Sequence, residues 1–94
     1  MNMVQAIKKH KMMGGHFFDL AAMRFFGSIV ETTLRENKYF VTSESINGLT
    51  GADDPDRKYT IRKFENGYKD VVDIGEFQQY SSKADALSAL EEVM

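Results

Sequence analysis

Lys58-Tyr59-Thr60-Ile61-Arg62-Lys63-Phe64, followed at once by Glu65-Asn66-Gly67, is the stretch that decides the fold class. Tyr59 and Ile61 fall on one side of an extended chain, and Thr60, Arg62 and Phe64 on the other, the period-2 pattern of a strand with one buried side. Asn-Gly suits the type I′ turn that matches strand twist, so the stretch reads as the first arm of a hairpin. The returning strand is expected over Lys69–Ile74, with Val72 and Ile74 on one face. Upstream, Lys38-Tyr39-Phe40-Val41-Thr42-Ser43 has the β-branched and aromatic content of another strand. Arg35-Glu36-Asn37 before it is a turn in which Asn37 tolerates positive φ. Phe25-Phe26-Gly27-Ser28-Ile29-Val30 also looks extended, and Gly27 inside it suggests a bulge.

Helical periodicity flanks these strands. Val4, Ile7 and Lys11 repeat at helical spacing within Met3–Met13, and Gly14-Gly15 end that helix because glycine enters the left-handed region freely. Lys9 and Lys11 suit the negative end of its dipole, and Met12 and Met13 are expected to dock it. Asp19 is placed to cap a short helical turn over 20–24. At the other end, Ser81 or Ser82 supplies an N-cap with Asp85 in the first turn. Ala84, Leu87, Leu90 and Met94 form the inward stripe there, with Glu91 and Glu92 turned out. Gly75 permits a kink before Glu76-Phe77-Gln78-Gln79-Tyr80.

The expected fold is therefore α+β: a small antiparallel sheet of three to four strands, packed by a C-terminal amphipathic helix, with a short N-terminal helix. Ninety-four residues make one domain over 1–94, with the N-terminal helix at 3–13 and the α+β core at 16–94. One buried cluster is expected between the sheet and the C-terminal helix, built from Phe25, Phe26, Val41, Tyr59, Ile61, Val72, Ile74, Leu87 and Leu90. The thirteen residues from Glu44 to Asp56 carry Gly48, Gly51 and Pro55. That is long for an antiparallel connection and reads as a mobile or contacting loop.

Composition narrows the function. The chain is 43% hydrophobic and 28% charged, ordinary usage for a soluble domain. It holds no cysteine, which excludes a disulfide scaffold, cysteine-zinc sites and thiol catalysis. No apolar run approaches the ~20 residues of a membrane span, and Met1-Asn2-Met3-Val4-Gln5 lacks a secretory core, so a cytosol is the expected location. The net charge of −2 argues against non-specific duplex binding. Charge is unevenly placed: residues 1–47 hold six Lys/Arg and four Asp/Glu, residues 48–94 six and ten. The basic excess gathers at Lys8, Lys9 and Lys11, and the acidic excess at Asp53, Asp54 and Asp56 and again at Glu91 and Glu92. Opposed poles of this kind set partner orientation and on-rate.

Catalytic patterns are not found. His16 and Asp19, three apart, begin a metal or acid-base pair, but no third ligand recurs nearby, and no metal or cofactor is expected. Asp53-Asp54-Pro55-Asp56 resembles a calcium loop only in charge, because Pro55 and Arg57 break the alternation of oxygen ligands. There is no G-x-S-x-G elbow and no glycine-rich phosphate fingerprint, so the chain is not read as an enzyme. Aromatic strands with basic neighbours offer an alternative: Lys38 and Tyr39 on one strand, with Arg57, Tyr59 and Arg62 on another, suit a sheet that stacks single-stranded bases.

Five phrases are more distinctive: His16-Phe17-Phe18, Met23-Arg24-Phe25-Phe26-Gly27-Ser28, Tyr39-Phe40-Val41-Thr42-Ser43-Glu44, Arg57-Lys58-Tyr59-Thr60-Ile61-Arg62 and Gly75-Glu76-Phe77-Gln78-Gln79-Tyr80. In this order, over roughly 16–86, the chain resembles a family of small proteins encoded by bacteriophages, prophages and plasmids. Ile29-Val30 stands where that family leads one to expect a basic residue soon after Ser28. The resemblance transfers no catalytic residue. It implies a non-enzymatic, protein-binding accessory factor of a mobile element, acting on a host protein or nucleoprotein complex, such as a stoichiometric, anti-CRISPR-like inhibitor of a host defence machine. Asp53, Asp54 and Asp56, with Glu91 and Glu92 second, would then stand in for phosphates. A single-stranded nucleic-acid module using the aromatic-basic sheet, and a small enzyme or metabolite-binding protein, are the other readings.

Overall fold

Burial along the hairpin strand sets the architecture. The computed structural model describes residues 1–20, 28–44 and 56–94, with residues 28–33 described by backbone alone. In order these form α1 (Met3–Met12), β1 (Ser28–Arg35), β2 (Tyr39–Glu44), β3 (Lys58–Glu65), β4 (Asp70–Ile74) and α2 (Lys83–Val93). The strands make one antiparallel sheet in the order β1-β2-β3-β4, so the fold is α+β. The strand pattern read from the sequence holds, but its outcome on burial does not: β3 is buried on both sides. Val41 and Ile61 on one face pack with Ala86 and Leu90 of α2. Phe40 and Phe64 on the other pack with Met3 and Ala6 of α1 and with Phe18. The two helices thus cover opposite faces, and two clusters replace the single one expected.

That division corrects the core in detail. Val41, Ile61 and Leu90 are fully buried, while Tyr59, Ile74 and Leu87 are half-buried at the margin of the α2 cluster. Val72 is half-buried and is not part of either cluster. Phe25 and Phe26, the bulge expected at Gly27 and the turn over 20–24 lie outside the described residues. Phe40 to Glu44 are buried without a break, because β2 lies between two strands and beneath both layers.

The helix ends follow local chemistry. Asn2 and Gln5 form a reciprocal capping box, each side chain accepting the other's backbone N–H at 2.9 Å. At the C-terminal end Gly14 has φ +87°, and Gly14 N–H and Gly15 N–H donate to the carbonyls of Lys11 and His10. This is the Schellman geometry that two glycines permit. The docked stripe is Met3, Ala6, Ile7 and His10 rather than Val4, Ile7 and Lys11; Val4 is 65% and Met12 77% exposed. In α2, Ser82 caps by accepting from Asp85 N–H at 3.1 Å. Ala86 and Leu90 face inward, and Ala84 and Met94, expected there, are exposed.

Both turns bend through left-handed residues. Glu36 and Asn37 have φ of 50° and 60°, the type I′ pattern, with Lys38 N–H donating to Arg35 C=O at 3.0 Å. Asn66 and Gly67 are also left-handed, but Glu65 pairs with Asp70, so the second connection is four residues rather than a two-residue turn. β1 and β2 keep register from Ser28↔Ser43 to Val30↔Val41 and lose it before Arg35↔Tyr39. The irregularity therefore lies beyond Val30.

Candidate functional site

Alternation puts Thr42, Glu44, Thr60, Arg62 and Asp73 on the same side of three neighbouring strands, next to the aromatic cluster of Phe40 and Phe64. Glu44, read from the sequence as the start of a loop, is the last residue of β2 and is 1% exposed. Its Oε1 accepts from Thr42 Oγ1 at 2.8 Å and from Arg62 Nη2 at 3.0 Å, and its Oε2 accepts from Thr60 Oγ1 at 3.2 Å. Arg62 is satisfied on three sides: Nε donates to Thr42 Oγ1 at 3.0 Å, Nη2 to Glu44, and Nη1 to Asp73 Oδ1. Its guanidinium lies 5.4 Å from the ring centres of both Phe17 and Phe77. Burial pushes the Glu44 carboxyl above its ordinary range, opposed by the hydrogen bonds from Thr42, Arg62 and Thr60 and by the Arg62 charge.

This cluster anchors the segment after β4. Gly75 turns the chain at φ +78°, as its place in the sequence suggests, and Gln79 Oε1 accepts from Glu76 N–H at 2.9 Å. Gln78 N–H donates to Thr60 Oγ1 at 2.8 Å, the same hydroxyl that donates to Glu44. Tyr80 then rejoins β3 through two backbone bonds with Tyr59. Among the described residues no buried side-chain nitrogen or oxygen lacks a partner. The arrangement is a buried ion pair that locks a strap onto a sheet; its polar atoms are bound internally.

His10 forms a second junction. It is 2% exposed; Nε2 accepts from Phe17 N–H at 3.0 Å and Nδ1 lies 2.7 Å from Tyr68 C=O. Because Nε2 accepts, the proton sits on Nδ1 and is donated to Tyr68, joining α1 to the β3–β4 turn. Tyr68 in turn donates its hydroxyl to Asn37 C=O at 2.6 Å, tying the two turns together, and Lys9 Nζ lies 5.4 Å from its ring centre. Met13 assists, its sulfur accepting Tyr68 N–H at 3.3 Å. A helical stripe read as Met3-Ala6-Ile7-His10 would have exposed this role in the sequence.

The residues singled out from the sequence are placed as follows. Asp53 and Asp54 lie outside the described residues; Asp56, Glu91 and Glu92 are exposed, the last two on α2. Lys38 is exposed at a turn, with Nζ 5.7 Å from the Tyr39 ring centre. Tyr39 and Tyr59 pack in the α2 cluster, Arg57 is buried with Nη1 donating to Ser43 Oγ at 2.8 Å, and Arg62 is buried on the opposite face. These five form no common exposed platform. His16 Nδ1 and Asp19 Oδ2 do meet, 2.9 Å apart, on the surface. Among the described residues no three His, Asp or Glu converge as metal ligands, and no helix is long and apolar enough to cross a membrane.

Comparison with known proteins adds a family. No curated protein and no solved structure matches the chain. One family model does, over residues 2–91, a span that takes in α1, all four strands and α2 into its last turn. The chain therefore belongs to the family of unknown function DUF7447.

Proposed function

We propose that the chain is a non-enzymatic protein-binding factor that acts by stoichiometric contact with a host protein or nucleoprotein complex bearing a basic, nucleic-acid-handling groove. The observation that carries this reading is the division of charge between the two outer layers. α1 holds Lys8, Lys9 and Lys11 and no acid, while α2 holds Asp85, Glu91 and Glu92 against Lys83. The helices cover opposite faces of the sheet, so the molecule is polarised across its thickness. A charged partner orients such a domain before contact and accelerates its capture. Glu91 and Glu92, together with Asp53, Asp54 and Asp56, supply the anionic groups. The resemblance to mobile-element proteins supplies the class of target, a host defence nuclease.

The test is titration of the purified chain into purified RNA-guided defence nucleases, with target-DNA cleavage as readout. Inhibition near a one-to-one ratio is expected, weakening with salt. Asp53→Asn, Asp54→Asn and Asp56→Asn combined with Glu91→Gln and Glu92→Gln should raise the concentration required by about tenfold or more. Absence of inhibition, or inhibition indifferent to these carboxylates, contradicts the proposal. Tight binding of the chain to single-stranded oligonucleotides instead would favour the nucleic-acid reading.

A further inference from the structure

Of the eight large hydrophobic residues exposed among the described ones, Met1, Val4, Met12 and Met13 lie on or beside α1 and Val93 and Met94 close α2, while Leu20 and Phe77 lie apart. On α1, Met1 and Met12 line a shallow groove of about 410 Å³ together with Gln5, Lys8 and Lys9, and Val4 and Lys11 are exposed on the same helix outside that lining. On α2 the apolar pair follows directly on Glu91 and Glu92, both exposed. Each helix therefore presents apolar groups rimmed by charge, and the two rims have opposite sign. One is the complement of the other.

We propose that copies of the chain associate head to tail, the outer face of α1 in one copy docking on the C-terminal end of α2 in the next. Val93 and Met94 enter the α1 groove, and Glu91 and Glu92 meet Lys8 and Lys11. The charge pattern excludes a self-matched contact, since α1 on α1 would oppose lysines and α2 on α2 would oppose glutamates. The two half-sites sit on opposite faces of the sheet, so a copy bound through one leaves the other open. Such a heterologous contact extends chains instead of closing a two-fold dimer. A ten-residue helix is about 15 Å long, so the contact falls below the ~800 Å² per partner of a standard stable interface. Association is accordingly weak, dependent on concentration and sensitive to salt.

Sedimentation velocity on the full chain tests it. At low ionic strength the weight-average mass should rise continuously with concentration, past that of a dimer, and return to the monomer at about 0.5 M salt, where screening shortens to a few ångströms. Lys8→Glu with Lys11→Glu, and separately Glu91→Lys with Glu92→Lys, should each remain monomeric. Lys9 is left in place because it covers the Tyr68 ring. Mixing the two variants should restore association, because each then offers the complement the other lacks. If circular dichroism finds either variant unfolded, Gln at the same positions replaces the reversed charges and should lower association without restoring it on mixing. A wild-type chain monomeric throughout, a mass that saturates at a dimer, or a mixture of folded charge-reversed variants that stays monomeric overturns the proposal. Monomeric wild type that sediments with anionic lipid vesicles would overturn it in favour of a lipid surface for α1.

Discussion

Gly15→Ala should be among the most damaging single-methyl additions in this chain, and the reason lies outside the helix cap. A Cβ built at Gly15 falls 2.2 Å from His10 Cε1, 2.3 Å from Nε2 and 2.6 Å from Nδ1. The ring has nowhere to go. Its Nε2 holds Phe17 N–H, its Nδ1 holds Tyr68 C=O, and Phe18 meets it edge-on with ring centres 5.0 Å apart. Relief of the clash breaks at least one of these bonds, leaving a buried group unsatisfied at about 1–3 kcal/mol, with overpacking adding a similar amount. The expected loss is about 2–4 kcal/mol. For a domain of this size each kcal/mol lowers Tm by roughly 4–8 °C, a shift that thermal and urea unfolding both resolve. Gly14→Ala is the control: Gly14 is left-handed at φ +87°, but nothing lies within 4 Å of its added Cβ. Its cost is backbone strain alone, about 1–2 kcal/mol. In a His10→Ala background the ring is gone, and Gly15→Ala should cost less than about 0.5 kcal/mol, a coupling read directly from the double-mutant cycle. Gly14→Ala proving worse than Gly15→Ala, or no coupling between positions 10 and 15, would mean that the His10 ring does not exclude a side chain at Gly15.

Glu44 gives a pH signature. Burial raises its folded-state pKa above the ordinary 4.5, so between those values the native chain binds a proton that the unfolded chain does not. Wild type therefore gains stability at this residue as pH falls from neutral, with the gain complete below the unfolded value, and Glu44→Gln lacks that gain. Unfolding free energies should favour wild type over the variant more at about pH 5 than at about pH 8; a difference that is flat or of opposite slope contradicts it. Ile61→Ala should cost about 2–4 kcal/mol by urea unfolding, because Ile61 is wholly buried under α2, and a loss below 1 kcal/mol would mean α2 is not packed there. Leu87→Ala at its half-buried site should cost less, and equal losses would contradict the boundary drawn for that cluster. Glu36→Gly should raise stability by about 0.5–1 kcal/mol in thermal unfolding by relieving a left-handed non-glycine residue, and a drop would contradict that turn geometry.

What could be read in the sequence was local. The Gly14 helix stop, the Ser82 cap, the Asn66-Gly67 reversal and the alternation of Tyr59 to Phe64 each depend on residues within a few positions, and each carries its own stereochemistry. What could not be read depends on distant partners. Arg62 and Thr60 look like a solvent-facing side of β3 until Glu44, 18 and 16 residues away, neutralises one and accepts from the other. His10 looks like one more polar residue among lysines, but its ring is held by a carbonyl 58 residues on. A buried charge or imidazole disguises a second apolar face, and for that reason the sequence suggests one core where the described residues form two. The same masking hides the candidate site: Glu44 reads as the start of a loop, because its partners Thr60 and Arg62 lie 16 and 18 residues away. Glu36 conflicts with turn propensity outright, and Asn37 alone signals a left-handed residue in that turn.

One sheet carries α1 on one face and α2 on the other, with adjacent residues of β2 divided between them. Nuclear Overhauser contacts in solution test it most directly. Phe40 and Phe64 should contact Met3 and Ala6, and Phe64 the His10 ring, while Val41 and Ile61 contact Ala86 and Leu90, with no contact between the two sets of helix residues. Contacts from Phe40 and Val41 alike to α2, or none from α1 to Phe64, would contradict this placement of the helices.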